Sequence, residues 1–358
     1  MPVRSELVTG GRAIVVCEGW LGSTGHSAVT ALRRAGWATT ELAEWEVIPL
    51  RWRSFTMRVL ARGIRSLAAA ELGRELVRLA KQLHPEFVLV FKGAFLPAAS
   101  ILELQDLGIA CYCFYPDVSF RVHGPRIPKA LPLYDWVFTT KTFGLRDMRE
   151  QLGVRRSSVL PHAYDPEVHR PLELTPADHT LYDCDVSFIG TWSPKKESLL
   201  RGLAEHRPER RLRIWGLQWD RAATGHLHRA VQGHEITGDE YVRAIAASTI
   251  NLAILSERRV GSSDGDQITS RTFHIPASGG FMLHERTPEL LELFQEDVDV
   301  ACFSGLDELV SQVDRYLADD ERRSAIAAHG RAAVESQNSW DHRIRVILDL
   351  HESRCGGT

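Results

Sequence analysis

The chain has 358 residues, of which 44% are hydrophobic and 25% carry a charged side chain. These values are typical of a globular protein, and the length fits two domains better than one hydrophobic core. The formal net charge is -3 at pH 7, which excludes a protein-wide basic field, so we expect no nucleic acid partner.

Short apolar runs alternate with amphipathic segments along the chain. The predicted strands are 13–17, 87–91, 109–115, 136–140 and 158–160, followed by 185–189, 212–215, 250–255, 281–284 and 298–303. Helical patterns lie between them, at 26–35, 60–83, 97–107, 142–152, 195–205, 239–247, 288–294, 307–317 and 320–336. Several strand runs are continuously apolar, which is typical of strands buried on both faces of a parallel sheet. The alternation predicts doubly wound α/β sheets with right-handed crossovers.

The order of these elements predicts two domains. Residues 161–183 are rich in Pro, Asp and His, and the apolar periodicity pauses there, as is typical of a linker. We place the boundary at residue 178, which gives an N-terminal domain over 1–178 and a C-terminal domain over 179–338. The remaining segment, 339–358, contains an amphipathic helix that could pack back on the first domain.

The loop after the first predicted strand is rich in glycine and ends in a histidine. At the carboxyl end of a parallel strand, glycines let backbone amides approach a ligand, and the next helix offers its positive N-terminus. The loop residues are Gly22, Ser23, Thr24 and Gly25. His26 is a candidate general base, because the pKa of an imidazole lies near neutrality. The alternative is an exposed histidine at a helix start.

A second candidate base, Asp117, follows the apolar run 109–115. A carboxylate at the carboxyl end of a strand can deprotonate or orient a substrate hydroxyl. Because Asp after Pro also favours a turn, the alternative is a purely structural role for Asp117.

Two lysines lie in the first turn of the helix predicted at 195–205. Ser193 is a suitable N-cap, and Pro194 suits the first helical position. Lys195 and Lys196 oppose the positive end of the helix dipole. This unfavourable arrangement predicts a bound anion such as a pyrophosphate, and the alternative is a solvated helix start.

The segment 264–283 is the most distinctive of the chain. A polar loop leads into a short helix, then two glycines, then a strand. Thr269, Ser270 and Arg271 supply hydroxyls, amides and a guanidinium that could clamp phosphates at a helix N-terminus. Trp215 and Tyr241 lie near other strand ends, where an aromatic ring could stack on a nucleotide base.

A basic, aromatic stretch, Arg51–Arg65, has no acidic neighbour between residues 47 and 70. It predicts contact with an anionic acceptor or peripheral contact with a membrane surface. The alternative is a solvated helix face with extended arginines. No apolar run approaches the ~20 residues of a membrane-spanning helix, and the polar start of the chain lacks a signal peptide, so we expect a cytoplasmic protein.

These segments, in this order, resemble the CgeB-like glycosyltransferases, whose second domain is similar to the group-1 glycosyltransferases. The resemblance covers nearly the whole chain and is strongest from residue 134 onward. It is carried by the stretches 134–141, 160–171, 185–191, 270–283 and the helices after residue 304. The block over 270–283, SRTFHIPASGGFML, is fairly specific to this family.

The resemblance implies a GT-B fold, that is, two Rossmann-like, doubly wound α/β domains facing a central cleft. It implies a nucleotide-diphosphate sugar, with a UDP-sugar favoured, bound mainly by the domain over 179–338, and an acceptor on the side of the domain over 1–178. It also implies no essential metal and no other cofactor. No spacing typical of a metal site occurs among the histidines.

Group-1 enzymes carry two glutamates separated by seven residues, of which the first lies near the sugar and the second contacts the nucleotide ribose. The resemblance puts Asp266 and His274 at these positions. His274 departs from the usual glutamate. A neutral imidazole can still hydrogen-bond a ribose hydroxyl, but each of its nitrogens makes only one contact.

We therefore predict a hexosyl- or related glycosyltransferase that moves a sugar to a hydroxyl or amine of an acceptor. Lys195, Lys196 and Arg271 would stabilise the charge that grows on the leaving nucleoside diphosphate. Asp117 or His26 would be the base. Two alternatives stay open: a GT-B-shaped scaffold or binding protein without turnover, and a nucleotide-sugar 2-epimerase.

Overall fold

The computed structural model describes residues 10–47, 55–222 and 227–355 of the chain. The basic segment Arg51–Arg65 begins in the gap at 48–54, and its side chains lie outside the described part of the structure. None of the helices within these three ranges combines the length and the apolar content that crossing a bilayer requires.

The chain divides into two compact units. The first takes in the described residues up to Pro161, then Arg258–Asp264 and the residues from Arg343 onward. The second takes in His162–Glu257 and Gly265–His342. The first unit ends at Pro161, whereas the sequence analysis places the boundary between the domains at residue 178. Residues just after Pro161 pair within the second unit, because Tyr164 exchanges backbone hydrogen bonds with the segment 338–340.

The first unit is built on a parallel sheet of six strands in the order β2-β1-β3-β4-β5-β6. Continuously apolar strands such as FVLVF at 87–91 are buried along their whole length, since helices cover both faces. The strands are β1 Arg12–Cys17, β2 Ala38–Ala43, β3 Phe87–Phe91, β4 Ala110–Tyr115, β5 Trp136–Thr139 and β6 Ser157–Val159.

Seven helices in the described residues belong to this unit, and Leu72, Leu76 and Leu104 pack from them onto Val88 and Val90 of the sheet. The last helix joins through the sheet centre, where the Tyr112 hydroxyl lies 3.0 Å from Nδ1 of His351. The helices are α1 Thr24–Arg34, α2 Glu44–Val47, α3 Phe55–Leu83, α4 Ala98–Asp106, α5 Arg126–Ala130, α6 Thr142–Leu152 and, after the second unit, α15 Trp340–Cys355.

The second unit is built on a parallel sheet of five strands in the order β11-β10-β9-β7-β8. The strands are β7 Cys184–Ile189, β8 Leu212–Trp215, β9 Ser248–Ala253, β10 Met282–Glu285 and β11 Ala301–Phe303. The helices are α7 Pro176–Tyr182, α8 Pro194–His206, α9 Leu227–Ala230, α10 Gly238–Ala247, α11 Arg271–Ala277, α12 Pro288–Leu293, α13 Leu306–Leu317 and α14 Asp320–Gln337.

The prediction of two doubly wound α/β sheets is confirmed, and each of the ten predicted strands overlaps an observed one. The sequence analysis missed β2. Its residues Thr39, Thr40 and Glu41 are half-buried because β2 is an edge strand, so it lacks the continuous apolar run of the central strands.

Candidate functional site

Loops at the carboxyl ends of β7 and β9 bind a buried lysine between them. Lys196 lies in the first turn of α8 and is only 5% exposed. Its ammonium donates to the backbone oxygen of Thr191 at 3.1 Å and to Oγ of Ser256 at 3.2 Å. A buried ammonium needs such partners, and here they fix a positive charge at this edge of the sheet.

The neighbouring lysine pairs with the end of β10. Nζ of Lys195 lies 2.5 Å from Oε1 of Glu285, and Oε2 of the same carboxylate accepts from the backbone N–H of Leu255 at 3.0 Å. Sequence reasoning missed Glu285 and Ser256. Both stand at or just after the end of an apolar strand, which is the signal that could have found them.

Arg271 bridges the ends of two strands. Its Nη1 donates to the backbone oxygen of Ile189 at 3.2 Å, and its Nη2 donates to that of Ile254 at 2.7 Å. The guanidinium lies over the ring of Phe188, 5.1 Å from its centre. The ammonium of Lys196 also lies over the Phe188 ring, 5.9 Å from its centre, so both cations are held at the end of β7.

The buried polar atoms at this edge that lack a hydrogen-bond partner among the described residues include two donors. They are Nε of Arg271 and Oγ1 of Thr269. Leaving a buried donor unsatisfied is costly, and each such group in a native protein calls for an explanation. Acceptor oxygens of a bound ligand are one such explanation.

Two other residues predicted at the donor site, Asp266 near the sugar and Ser270 near the phosphates, have different surroundings. Asp266 accepts from the backbone N–H of Ser256 at 3.3 Å and donates its own N–H to the oxygen of Ser256 at 2.9 Å. It thereby joins the loop before α11 to the loop after β9. Ser270 precedes α11 and makes no side-chain cap bond, and that helix is only seven residues long.

His274 is enclosed by two other rings. It stacks on His169 with ring centres 3.8 Å apart, and Tyr241 meets both imidazoles edge-on. Nε2 of His274 lies 3.1 Å from the oxygen of Ala163, so it carries the proton and donates. Burial lowers the pKa of His274 to about 4. The predicted ribose contact is therefore restricted to its Nδ1 lone pair.

Trp215 requires a correction. Its ring is 2% exposed and packs in a core cluster with Tyr182, Ile236 and Ala244. A buried indole cannot stack on a nucleotide base. The sequence analysis located the strand end correctly but did not determine which face of β8 this side chain occupies.

Two glycines bring the loops after β7 and β8 into close contact. Gly216 has a φ of 139°, and a Cβ there would lie 2.2 Å from the oxygen of Gly190. A Cβ on Gly190 would lie 2.7 Å from Nη1 of Arg271. A side chain at Gly216 would therefore clash with backbone, and one at Gly190 would displace the Arg271 guanidinium, so the loop geometry beside Arg271 depends on both glycines.

We expect Gly216→Ala to lower the free energy of unfolding by roughly 3 kcal/mol or more, from backbone strain and a clash with backbone. Urea unfolding checks this value. Gly233→Ala is the matched control, because Gly233 has a φ of 80° but open space where its Cβ would lie. Gly233→Ala should lower the free energy of unfolding by only about 1–2 kcal/mol. Equal losses for the two variants would contradict the clash.

In the first unit, the glycine-rich loop mainly shapes the backbone. Gly22 has a φ of 83°, and Ser23 caps α1 by accepting from the N–H of His26 at 3.2 Å. Thr24 is the first residue of α1. A Cβ on Gly25 would lie 2.1 Å from Cβ of Cys17, so this glycine lets the helix approach β1.

His26 pairs with a carboxylate on the edge strand β2. Its Nδ1 lies 3.1 Å from Oε2 of Glu41, and the thiol of Cys17 donates to the other oxygen at 3.4 Å. Such a partner orients an imidazole and fixes its tautomer. Sequence reasoning missed Glu41 because β2 itself was missed.

Asp117 lies between a lysine and a histidine. Its Oδ2 is 2.9 Å from Nζ of Lys92 and 2.9 Å from Nε2 of His123. Burial raises the pKa of the Asp117 carboxyl, but the hydrogen bond from His123 and the charge of Lys92 outweigh it and hold the pKa below its ordinary value. A carboxylate stabilised in this way is a weak base.

The described residues contain no group of three or more His, Cys, Asp or Glu side chains placed to hold a metal ion. Each unit thus presents its polar and charged side chains at the carboxyl edge of its own sheet, where ligands bind in open α/β folds.

The chain is similar to known proteins both in the sequence of its second half and in its fold. Residues 195–349 match the model of a family described as Glycosyl transferase-like. No curated protein sequence matches the chain. Among solved structures, sucrose-phosphate synthase from Thermosynechococcus elongatus is 12% identical with a TM-score of 0.67, covering 97% of this chain and 100% of its own.

Two further solved structures are similar in fold over nearly the whole chain. A glycosyltransferase from Rickettsia africae is 11% identical with a TM-score of 0.64, covering 98% of this chain and 100% of its own. HepE from Anabaena, in complex with UDP-glucose, is 12% identical with a TM-score of 0.64, covering 96% of this chain and 100% of its own. The CgeB-like assignment stays a prediction. What these matches establish is the two-domain GT-B fold, with a second half similar to glycosyltransferases.

Proposed function

We propose that this protein transfers a sugar from a nucleotide-diphosphate sugar, with a UDP-sugar favoured, to a hydroxyl or amine of an acceptor. The observation that carries the proposal is the pair of unsatisfied buried donors, Arg271 Nε and Thr269 Oγ1, beside the two lysines of α8. The match to the Glycosyl transferase-like family includes all four residues. HepE, a protein of the same fold, binds UDP-glucose.

The chemistry requires stabilisation of the leaving group. As the bond between the anomeric carbon and the β-phosphate breaks, negative charge grows on the nucleoside diphosphate. Lys195, Lys196 and Arg271 supply positive charge at fixed positions, so little reorganisation is needed during the reaction. We propose that these side chains act without a metal ion, which predicts turnover in the presence of EDTA.

The test is incubation of the whole protein with UDP-, GDP- and dTDP-sugars, with and without EDTA. Release of free nucleoside diphosphate supports transfer, with water as the acceptor where no other is present. Conversion of the donor to an isomer would support a 2-epimerase instead. Binding without either product would support a scaffold. Failure to bind any of the nucleotides would overturn the proposal.

Lys195→Ala should weaken UDP binding by about 1.5–3 kcal/mol, roughly 10- to 150-fold, because a charged hydrogen bond is lost. The variant also leaves the Glu285 carboxylate without its lysine, which adds repulsion toward a diphosphate. Calorimetric titration with UDP measures the change. Lys81→Ala, which removes an exposed pair with Glu103 in the first unit, is the control and should bind UDP as the wild type does. Wild-type affinity in Lys195→Ala would remove this lysine from the donor site.

A further inference from the structure

A cleft lined by arginines lies at the amino edge of the second sheet. The connection from α8 into β8 has the sequence RPERRLR over 207–213, and α9 packs against both elements. The cleft has a volume of about 400 Å³, within the range of roughly 300–1,000 Å³ that is typical of small-molecule sites. Its lining residues all belong to the second unit. Five arginines of the described chain line it: Arg207, Arg210, Arg211, Arg213 and Arg229.

Two carboxylates hold part of this cleft in shape. Nε of Arg207 donates to Oδ2 of Asp314 at 2.8 Å, and the other oxygen of Asp314 lies 3.8 Å from Nη2 of Arg210. Asp185 accepts from the backbone N–H of Arg211 at 2.8 Å, and its second oxygen lies 3.6 Å from the guanidinium of Arg211. Arg207 and Arg211 are therefore bound to the walls of the cleft by the protein itself.

The other three arginines are only partly compensated. Nε of Arg210 is buried and has no hydrogen-bond partner among the described residues, since the oxygen of Glu209 is 3.7 Å away. Arg213 donates to neutral oxygens, one of them the side-chain oxygen of Gln232 at 3.4 Å. Arg229, at an exposed position of α9, pairs with no carboxylate in the described part of the chain. Donors from three segments thus converge on the cleft without a full set of acceptors.

The charge of the cleft calls for an anion with more than one negative charge. Asp314, Asp185 and Glu209 are the carboxylates that contact these five arginines among the described residues, which leaves two positive charges in excess. A guanidinium does not lose its proton in a protein, so the repulsion can only be relieved by a counter-charge.

Phosphate groups fit this arrangement better than a single carboxylate does. Each phosphate offers three strong acceptor oxygens in different directions, and arginine binds them through paired hydrogen bonds. None of the described side chains that line the cleft is aromatic. A nucleotide base would therefore have no ring to stack on, which disfavours a nucleotide or a single-stranded nucleic acid.

We propose that this cleft binds a small soluble anion with two or more phosphate groups and no base, held by Arg210, Arg213 and Arg229. The inference does not depend on the proposed function. Leu212 begins β8 and Trp215 ends it, so the cleft lies at the opposite edge of the sheet from the lysines of α8. It is a second anion site, separate from the one proposed for the donor.

The test is calorimetric titration of the full chain with inorganic tripolyphosphate at low ionic strength. Arg210→Ala and Arg229→Ala should each weaken binding roughly 10-fold or more, because each removes a charged hydrogen-bond donor. Both variants should bind UDP as the wild type does. Arg331→Ala is the matched control, since it removes a half-exposed arginine that pairs with Glu335 elsewhere in the same unit. It should keep the wild-type affinity for tripolyphosphate.

A second measurement locates the anion in the wild-type protein and so does not depend on the folding of any variant. Phenylglyoxal modifies accessible arginines, and mass spectrometry identifies the modified positions. Tripolyphosphate should protect Arg210 and Arg229 from the reagent and leave Arg331 reactive. Lys195→Ala should show the same protection, because this lysine lies at the other edge of the sheet.

Three results would overturn the proposal. The first is equal tripolyphosphate affinity in the wild type, Arg210→Ala and Arg229→Ala, without protection of either arginine. The second is loss of all tripolyphosphate binding in Lys195→Ala, which would place the anion among the donor residues. The third is binding of RNA or of anionic lipid vesicles through these arginines while tripolyphosphate does not bind. Protection of the cleft by tripolyphosphate in a protein that binds no UDP would count against the proposed function alone.

Discussion

Arg271→Ala should bind UDP roughly 100-fold or more weakly than the wild type, a larger loss than we expect for Lys195. The planar guanidinium can bind a diphosphate through two parallel hydrogen bonds, and its Nε has no hydrogen-bond partner among the described residues. The same change frees the backbone oxygens of Ile189 and Ile254. We therefore also expect a loss of about 2 kcal/mol or more in the free energy of unfolding. Calorimetry and urea unfolding measure the two effects.

Two variants separate charge from geometry. Arg271→Lys keeps the charge but cannot bridge two strand ends, so it should recover only part of the affinity. Arg207→Ala removes a partly exposed arginine that pairs with Asp314 in the same unit, and it should bind UDP as the wild type does. If Arg271→Ala lost stability but kept full UDP affinity, Arg271 would be a structural bridge between strands and no part of a donor site.

The fold could be predicted because the central strands are buried on both faces. Runs such as Phe87–Phe91 are apolar at every position, and this pattern can be recognised in the sequence without knowing which strands lie beside them. The edge strand β2 could not be found in this way, since Thr39, Thr40 and Glu41 face partly toward solvent. With β2 the sequence analysis also missed Glu41 and its pairing with His26.

The site was predictable by location and less so by chemistry. Asp117, Lys196 and Arg271 all lie at carboxyl ends of strands, where the sequence analysis expected functional side chains. Their surroundings depend on residues distant in sequence. Lys92 and His123 turn Asp117 into a paired carboxylate, and Ser256 binds Lys196 from a loop 60 residues away. Only the packing of parallel strands brings such partners together.

Glu18 and Glu44 illustrate the same limit. Glu18 directly follows the apolar run of β1, and Glu44 directly follows the mixed edge strand β2, so nothing in their immediate sequence marks either carboxyl. Burial raises the pKa of both carboxyls, the charge of Glu18 raises that of Glu44 further, and the charge of Lys92 opposes the rise in both. These are properties of three strand ends brought side by side, and they do not exist in any single segment.

Buried imidazoles should make the protein sensitive to mild acid. Burial lowers the pKa of His274 and of His284 to about 4, and it lowers that of His169 well below its usual range. The hydrogen bonds of His284 are consistent with a neutral ring. Nδ1 of His284 donates to the oxygen of Glu285, and its Nε2 can accept from the hydroxyl of Thr272 at 2.9 Å. All three rings are therefore neutral in the folded state.

The sign of the effect follows from linkage. A histidine whose pKa is lower in the folded state than in the unfolded chain contributes stability above its unfolded pKa of about 6.5 and loses it as the pH falls toward about 4. At pH 5 each such imidazole should already have lowered the free energy of unfolding by about 2 kcal/mol, because the unfolded chain binds the proton and the folded protein does not. The loss should be steepest where two of the rings stack, since His169 and His274 would bring like charges together.

Urea unfolding at pH 7 and pH 5 tests this. The wild type should lose several kcal/mol over this range, and His284→Gln should lose about 2 kcal/mol less, since one titrating group is gone. His329→Gln, at an exposed position on α14, should keep the wild-type difference. If His284→Gln and the wild type lost equal stability between the two pH values, the buried ring would already be charged, and the hydrogen bond from Thr272 would have to run from the ring to the hydroxyl instead.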